Sequence, residues 1–494
     1  MKINQDQINS KVFEVCGSFR GTLSSDKYKD YVLSMLFLKY ITDVHDEHYS
    51  EYMQRYNGDT RRVERMMESE KFVLPEKTSF NYLYEMRSES NIGQLINHAL
   101  STLEDNNKVK LAGVFQNIDY NNDILGETKE RNRILKNMIE IFNSISLSPK
   151  NLEKDVIGRA YEYLLKFFAS DAGQKGGEFY TPEEVAELLV KIIDPVSGDR
   201  IYDPACGSGS LLIKAGQYEN QRFHDNNFKL FGQEKNASTY ALCKMNMFLH
   251  DIEDSKIERG DTLTNPKHQE DNQLMKFDIV IANPPFSLDK WGAEEASSDS
   301  YNRYHRGIPP KSKGDYAFLS HMIESTNERG KVGVILPHGV LFRGASEGKI
   351  RQKLIEENLL DAVIGLPGNL FYGTNIPASI LIFKKNRERK DILFIDASGD
   401  EFFRKDKNQN TLVNIDKILE LYKNYETVEK ISYVSTLEEI QENEYNLNIP
   451  KYVDTFEEEE MGDIEEIRGK IKATNDKILE IEAEIETTLK ELGL

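Results

Sequence analysis

Apolar residues recur at helical spacing through the first third of the chain. Val32, Met35, Leu36, Lys39 and Tyr40 keep that period, as do Ile134, Leu135, Met138, Ile139 and Phe142. The segment Asp155–Ala169 reads as another helix, with Ile157, Tyr161, Leu164 and Phe168 on one face. Nothing here has the spacing of a catalytic site, so residues 1–165 are expected to form a helical domain for packing and docking. From about residue 170 short apolar strands alternate with helices, the signature of a doubly wound parallel α/β sheet. The expected strands are Arg200–Pro204, Phe228–Gln233, Phe277–Ala282, Lys331–Leu336, Asp361–Leu366 and Ser379–Lys384. The helices between them are placed at Pro182–Ile193, Ala237–Leu249 and Tyr316–Glu328. This second domain is expected to span 166–455. One connection, Ser287–Gly314, is long and polar, and loops of that length commonly serve function.

The tail, 456–494, carries an apolar seam in steps of three and four. It runs Ile464, Ile467, Ile471, Thr474, Ile478, Ile481, Ile485, Thr488, Leu492. Such a heptad pattern predicts a coiled-coil-type helix for a partner, with a helix folded back on its own domain as the alternative.

Composition narrows the setting. Hydrophobic residues make up 39% and charged residues 30%, as in a soluble globular protein. The N-terminus lacks the apolar stretch of a signal peptide, and no apolar run is long enough to span a bilayer. Three scattered cysteines, without zinc-ligand spacing, argue for a cytoplasmic setting and no structural metal. The charge cuts against a simple nucleic-acid binder: 63 Lys and Arg face 83 Asp and Glu, a net −20. Either the chain is no DNA protein, or a partner supplies most of the grip.

The candidate chemistry collects at strand ends. Asp203-Pro-Ala-Cys-Gly-Ser-Gly-Ser210 follows the first strand, where open α/β sheets bind ligands. Gly207 and Gly209 allow a tight turn and close approach of backbone to ligand. Leu212 stands where a dinucleotide loop would place its third glycine, and Asp203 favours a cationic ligand. Glu234 ends the next strand and suits a ribose diol, while Asp261 is placed to accept from the amino group of a nucleoside's adenine.

Asn283-Pro284-Pro285-Phe286 is the sharpest signal. Two prolines hold the backbone rigid and lack N–H groups. The Asn283 side-chain oxygen and the Pro284 carbonyl then form two acceptors for one –NH2 group. An amino group conjugated to a base is poorly nucleophilic, and two acceptors pulling on its hydrogens free its lone pair for attack. Phe286 offers a face on which an extruded base can stack.

These residues resemble those of the amino-methyltransferases of DNA adenine, and more narrowly the methylation subunit of type I restriction–modification systems. Gly176-Gly-Glu-Phe-Tyr-Thr-Pro182 is similar to the family's S-adenosylmethionine motif. The resemblance implies that Glu178, Phe179, Tyr180, Thr181, Pro182 and Glu183 wrap the methionine end of that cofactor. It further implies contacts from Ser208, Gly209 and Ser210, and Glu234 on the ribose. Further matches are Phe19-Arg-Gly-Thr-Leu23, Lys313-Gly-Asp-Tyr-Ala-Phe318 and Tyr445-Asn-Leu-Asn-Ile-Pro450, so the likeness covers nearly the whole chain.

The family's sheet has seven strands, the last antiparallel, a place for Ser379–Lys384. Its members resemble partners in a complex of two methylation subunits with one specificity subunit that reads the DNA. Whether a restriction nuclease subunit joins stays open. The Ser287–Gly314 loop, with Arg303, Arg306, Lys311 and Lys313 near Tyr301 and Tyr304, is either a contact to an extruded strand or a solvated loop. Two other readings remain: a methyltransferase of protein glutamine amides, and a non-catalytic assembly subunit that retains the fold.

Overall fold

The computed structural model describes residues 2–491 apart from 22, 154, 172–179, 225–226, 253, 407–408 and 456–463. Helix α1 (Gln5–Phe19) starts at a capping box, in which Asn4 and Gln7 each bond the other's backbone N–H at 3.1 Å. It packs on α3 (Thr128–Asn143) and α4 (Val156–Asp171), with the long α2 (Ser25–Arg55) alongside. The apolar faces read from the sequence are the buried ones: Met35, Leu36, Leu135, Met138, Tyr161, Leu164 and Phe168 are all at 0% exposure.

Beyond α4 the strands of one mixed sheet appear in turn. They are β1 (Arg200–Asp203), β2 (Lys229–Glu234), β3 (Lys256–Arg259), β4 (Phe277–Ala282) and β5 (Thr326–Pro337). Then come β6 (Leu360–Gly365), β7 (Ala378–Lys384), β8 (Ile392–Asp396) and β9 (Ser432–Ser435). Their order across the sheet is β9-β8-β6-β7-β5-β4-β1-β2-β3. β7 lies antiparallel between β5 and β6, where the resemblance puts the family's antiparallel strand. β8 and β9 are additions beyond the seven expected strands. They extend the sheet past β6, β8 parallel to it and β9 antiparallel to β8.

Helices α5 (Glu183–Ile193), α6 (Ser210–Phe223), α7 (Ala237–Leu249), α8 (Asp315–Glu324) and α9 (Ile415–Asn424) link the strands. Alternate strand residues serve opposite faces, as the period-two pleat requires. Ile201, Ile279, Ile335 and Ile380 pack with α5, α6 and α9, while Tyr202, Val280, Val334 and Leu381 pack with α8.

Helix α7 is apolar almost all round because both of its faces are covered. Cys243 and Met247 face the sheet's core, whereas Leu242, Met245 and Phe248 join the core of the N-terminal helices. There the Phe248 ring lies 5.1 Å from Phe72 and 6.3 Å from Phe37. The N-terminal helices and the α/β region therefore belong to one compact unit, Met1–Val453.

The second unit, Asp454–Leu494, is built on a single helix, α10 (Ile464–Glu491). Four residues of its seam, Ile471, Ile478, Ile481 and Ile485, are each about half exposed, at 48–56%. The side chains of Ile464 and Ile467, and the whole of Leu492, lie outside the described residues. Among the described residues no helix is long and apolar enough to cross a membrane, and no His, Cys, Asp or Glu cluster could hold a metal ion.

Candidate active site

The parallel strands β1, β2 and β4 deliver their carboxyl ends to one edge, and the candidate residues follow from them. After β1 the chain turns through Gly207 and Gly209, both at positive φ (53° and 82°). A Cβ on Gly209 would sit 2.8 Å from Cys243 Sγ and from Met247 Cε, so glycine is required on two counts. The turn is held by Cys206 N donating to Gln233 O at 3.1 Å, and by Asn246 Nδ2 on α7 donating to Ser208 O at 3.0 Å. Ser208 and Ser210 share a hydroxyl hydrogen bond of 3.0 Å at the start of α6.

A narrow cleft forms over this turn. Tyr180, Thr181, Asp203, Gly207, Ser208, Ser210 and Asn283 line it. Asp203 is 1% exposed and forms no ion pair among the described residues; one oxygen accepts from Ala205 N at 2.9 Å. Burial, and then the nearby Glu234 charge, push its carboxyl up to about 8. A cation arriving in the cleft would relieve that desolvated carboxylate.

Asn283, at the exit of β4, is oriented by a residue 102 positions earlier: its Nδ2 donates to Thr181 Oγ1 at 3.1 Å. That leaves Asn283 Oδ1 buried and without a hydrogen-bond partner among the described residues. The Pro284 carbonyl likewise accepts no hydrogen bond from them. A buried acceptor normally finds a donor, so an unengaged pair at a strand exit marks where a donor-rich group is to bind. Phe286 packs edge-on to Phe371 at 5.6 Å, and Tyr180 lies 5.8 Å from Tyr372.

The structure does not gather every candidate into the cleft. Pro182 caps α5. Glu183 points to Lys214 at 2.6 Å, an ion pair that holds its carboxyl low although burial opposes it. Glu234 accepts from Gly207 N at 3.0 Å and Asn236 N at 2.7 Å, supporting the glycine turn from below and retaining acceptor capacity. Asp261 is engaged by Leu263 N (3.0 Å) and Lys235 (2.8 Å). Glu178 and Phe179 lie outside the described residues.

The 287–314 loop departs from the strand-contact reading. Arg303 is 3% exposed, pairs with Asp299 at 2.6 Å, and donates to the carbonyls of Thr262 and Leu263. Arg306 pairs with Glu324 at 2.7 Å and with Glu357 at 2.6 Å. Both cations hold the loop together instead of facing solvent, and Trp291 and Tyr304 form its small apolar core.

Two features escape a reading of the sequence. Phe371 and Tyr372 reach the site from the loop after β6, where an aromatic pair inside a turn-rich stretch was the available signal. Asp315, fully buried, accepts from Ser287 N at 2.7 Å and pairs with Arg343, clamping the chain just past Phe286. This gives the Lys313–Phe318 stretch its physical role.

With this geometry in view, comparison with known proteins is specific. The family described as N-6 DNA Methylase matches residues 152–461, more than half of the chain. The HsdM N-terminal domain matches residues 8–142. The Type I restriction enzyme MpnII methylase subunit of Mycoplasma pneumoniae is 31% identical, covering 98% of this chain and 95% of its own length. The HindI methylase subunit of Haemophilus influenzae is 32% identical over 82% of this chain and 93% of its own. Among solved structures, the type I restriction-modification system methyltransferase subunit from Streptococcus thermophilus aligns with a TM-score of 0.82 at 35% identity. It covers 92% of this chain and all of that one. The chain therefore belongs to the N-6 DNA methylase family, as an adenine-specific DNA methyltransferase of the type I restriction–modification kind.

Proposed function

We propose that the chain uses S-adenosylmethionine to methylate N6 of adenine in DNA, at sites chosen by a separate specificity subunit. The observation that carries this reading is the buried, unengaged Asn283 Oδ1 beside the free Pro284 carbonyl, in the same cleft as Asp203. The cleft residues fit the cofactor: an unpaired buried carboxylate for a cation, a glycine turn for close approach, and Glu234 below it for a ribose diol. Tyr180, Thr181, Asp203, Gly207, Ser208, Gly209, Ser210 and Glu234 would hold it. Glu178, Phe179, Pro182, Glu183 and Asp261 complete the set proposed from the family motif and the strand ends. When bound, the cofactor supplies a methyl group activated by its sulfonium.

The chain's own residues do the rest. Asn283 Oδ1 and the Pro284 carbonyl accept the two amino hydrogens of adenine and draw the nitrogen toward a pyramidal form. Pro284 and Pro285 keep those acceptors from drifting, because neither ring permits φ to change. Phe286, steadied by Phe371, supplies the stacking face for the extruded base. No dedicated strong base is required, since the preorganised acceptors act on the transition state.

The net charge of −20 favours division of labour, with a specificity subunit gripping the DNA and this chain supplying chemistry. In that arrangement residues 1–165 dock, 166–455 catalyse, and the seam of α10 pairs with helices of the specificity subunit. A second methylation subunit completes the complex, which acts in the cytoplasm.

Asn283→Ala tests the reading. Methyl transfer should fall on the order of 10²-fold, while cofactor affinity by calorimetry stays near wild type. Lost cofactor binding in a folded variant would overturn the assigned role.

A further inference from the structure

A cavity of about 870 Å³ lies on the opposite edge of the sheet from the cleft, where β5 and β6 enter it. Its lining holds six basic side chains, Lys191, Lys331, Lys384, Arg387, Arg389 and Lys423, against three carboxylates, Asp194, Asp361 and Glu388. In a chain of net charge −20 such a local excess of cations is unexpected.

The carboxylates neutralise it only in part. Asp194 is engaged by Arg222 and by the Tyr218 hydroxyl. Asp361 pairs with Lys384 at 2.7 Å and Arg387 at 3.1 Å, and accepts from the Tyr422 hydroxyl at 2.9 Å. Lys191 turns to Glu187 and Asp416. No ion pair of Lys331, Arg389 or Lys423 occurs among the described residues.

Two of these cations are forced together by the fold itself. Lys331 on β5 and Lys384 on β7 are direct partners across the antiparallel pair, an arrangement in which like charges repel. Among the described residues Lys331 Nζ donates to the Ile193 carbonyl alone, at 2.7 Å. Burial lowers its affinity for a proton, with Lys384 and Arg222 adding to that and the carboxylates of Asp194 and Asp199 opposing it. Arg389 is held in place over the Tyr425 ring, 4.1 Å from its centre. Lys331 and Arg389 are thus fixed at the cavity, and phosphate oxygens suit both the guanidinium fork and the ammonium point charges. The cavity's volume is that of a small-molecule site.

We propose that this cavity binds the polyphosphate chain of a nucleotide-sized anion, at a site separate from the methyl-transfer cleft. The inference does not depend on the methyl-transfer reading. The chemistry is shared by a nucleoside triphosphate and by free inorganic polyphosphate, and the test separates them.

The full chain, saturated with S-adenosylmethionine to block the cleft, is titrated by calorimetry with tripolyphosphate and with ATP. Both should bind once per chain. The Arg389→Glu/Lys423→Glu double variant, altered at two exposed positions, should weaken both at least about tenfold with its melting temperature unchanged. Equal affinities for the two probes identify the phosphate chain alone as the ligand, and tighter ATP identifies a nucleotide. Lys331→Gln, a change at a half-buried position, should weaken binding as well. No saturable binding of either probe up to about 1 mM, or binding indifferent to the double variant, overturns the proposal. So does one-to-one binding of a short oligonucleotide at the same cations when tripolyphosphate does not bind.

Discussion

Replacing Thr181 by valine removes one hydroxyl with little change of shape, and so tests how Asn283 is aimed. The Asn283 amide has two orientations half a turn apart, because its terminal torsion is two-fold. With Nδ2 on Thr181 Oγ1 at 3.1 Å, the oxygen faces the target amine. In the reversed orientation an N–H donor would face another donor, and the acceptor pair would be lost. The Thr181 bond biases the choice by the net worth of a neutral hydrogen bond, about 0.5–1.5 kcal/mol. Losing it raises the reversed population about two- to tenfold. Methyl transfer at saturating cofactor should then fall by at most about the same two- to tenfold factor, less than for Asn283→Ala, where an acceptor is gone entirely. Thr181→Ser keeps the hydroxyl and should restore most of the rate. Single-turnover transfer of labelled methyl groups, with the partner subunit present, separates kcat from binding. If Thr181→Val changes only cofactor affinity and leaves kcat intact, Thr181 serves the cofactor and not Asn283, and the reasoning fails.

The remaining predictions address other parts of the same edge. Burial pushes the Asp203 carboxyl up to about 8, and a cationic ligand favours its charged form. Cofactor binding should therefore release a proton, with affinity rising as pH approaches 8 and levelling above it. Calorimetry in buffers of different ionisation enthalpy reads this, and uptake of a proton at neutral pH would contradict it. Gly209→Ala should cost about 2–4 kcal/mol, from positive φ and from the clash with Cys243 and Met247. An unchanged melting temperature would show that the turn is softer than argued. Removal of residues 463–494 should weaken association with the specificity subunit in size-exclusion experiments and leave cofactor affinity alone. Undiminished association would place the contact elsewhere.

How much of this was legible depended on whether a feature is local. Phe277–Ala282 and Ala237–Leu249 appear with the bounds their patterns suggested, since an apolar run between turn residues marks both. The helix placed at Tyr316–Glu328 ends instead at Glu324, and β5 begins at Thr326, before the expected Lys331. The polar stretch Thr326–Arg329 has no strand-like pattern of its own, and pairing of Thr326 with Phe277 draws it into the sheet. β8 and β9 went unread because β8 follows a charged run and β9 is a four-residue edge strand. Asn283 and Pro284 were legible as a motif because their chemistry is written in adjacent residues. The Thr181 contact, the Asp315 clamp and the burial of Arg303 were not. Each joins positions brought together only by folding, and an arginine in a polar loop looks the same in sequence whether paired or solvated.

Helix α7 has a consequence for dissecting the molecule. One of its faces supports the glycine turn through Asn246, Cys243 and Met247, and the other is sealed by Phe37 and Phe72 of the N-terminal helices. A fragment trimmed to the α/β region would bare the second face while asking the first to keep its shape. The catalytic half is thus not a detachable cassette. Grafts, fusions or split versions of this enzyme must carry the N-terminal helices with the sheet, and a division of the chain belongs after Val453, where one compact unit ends.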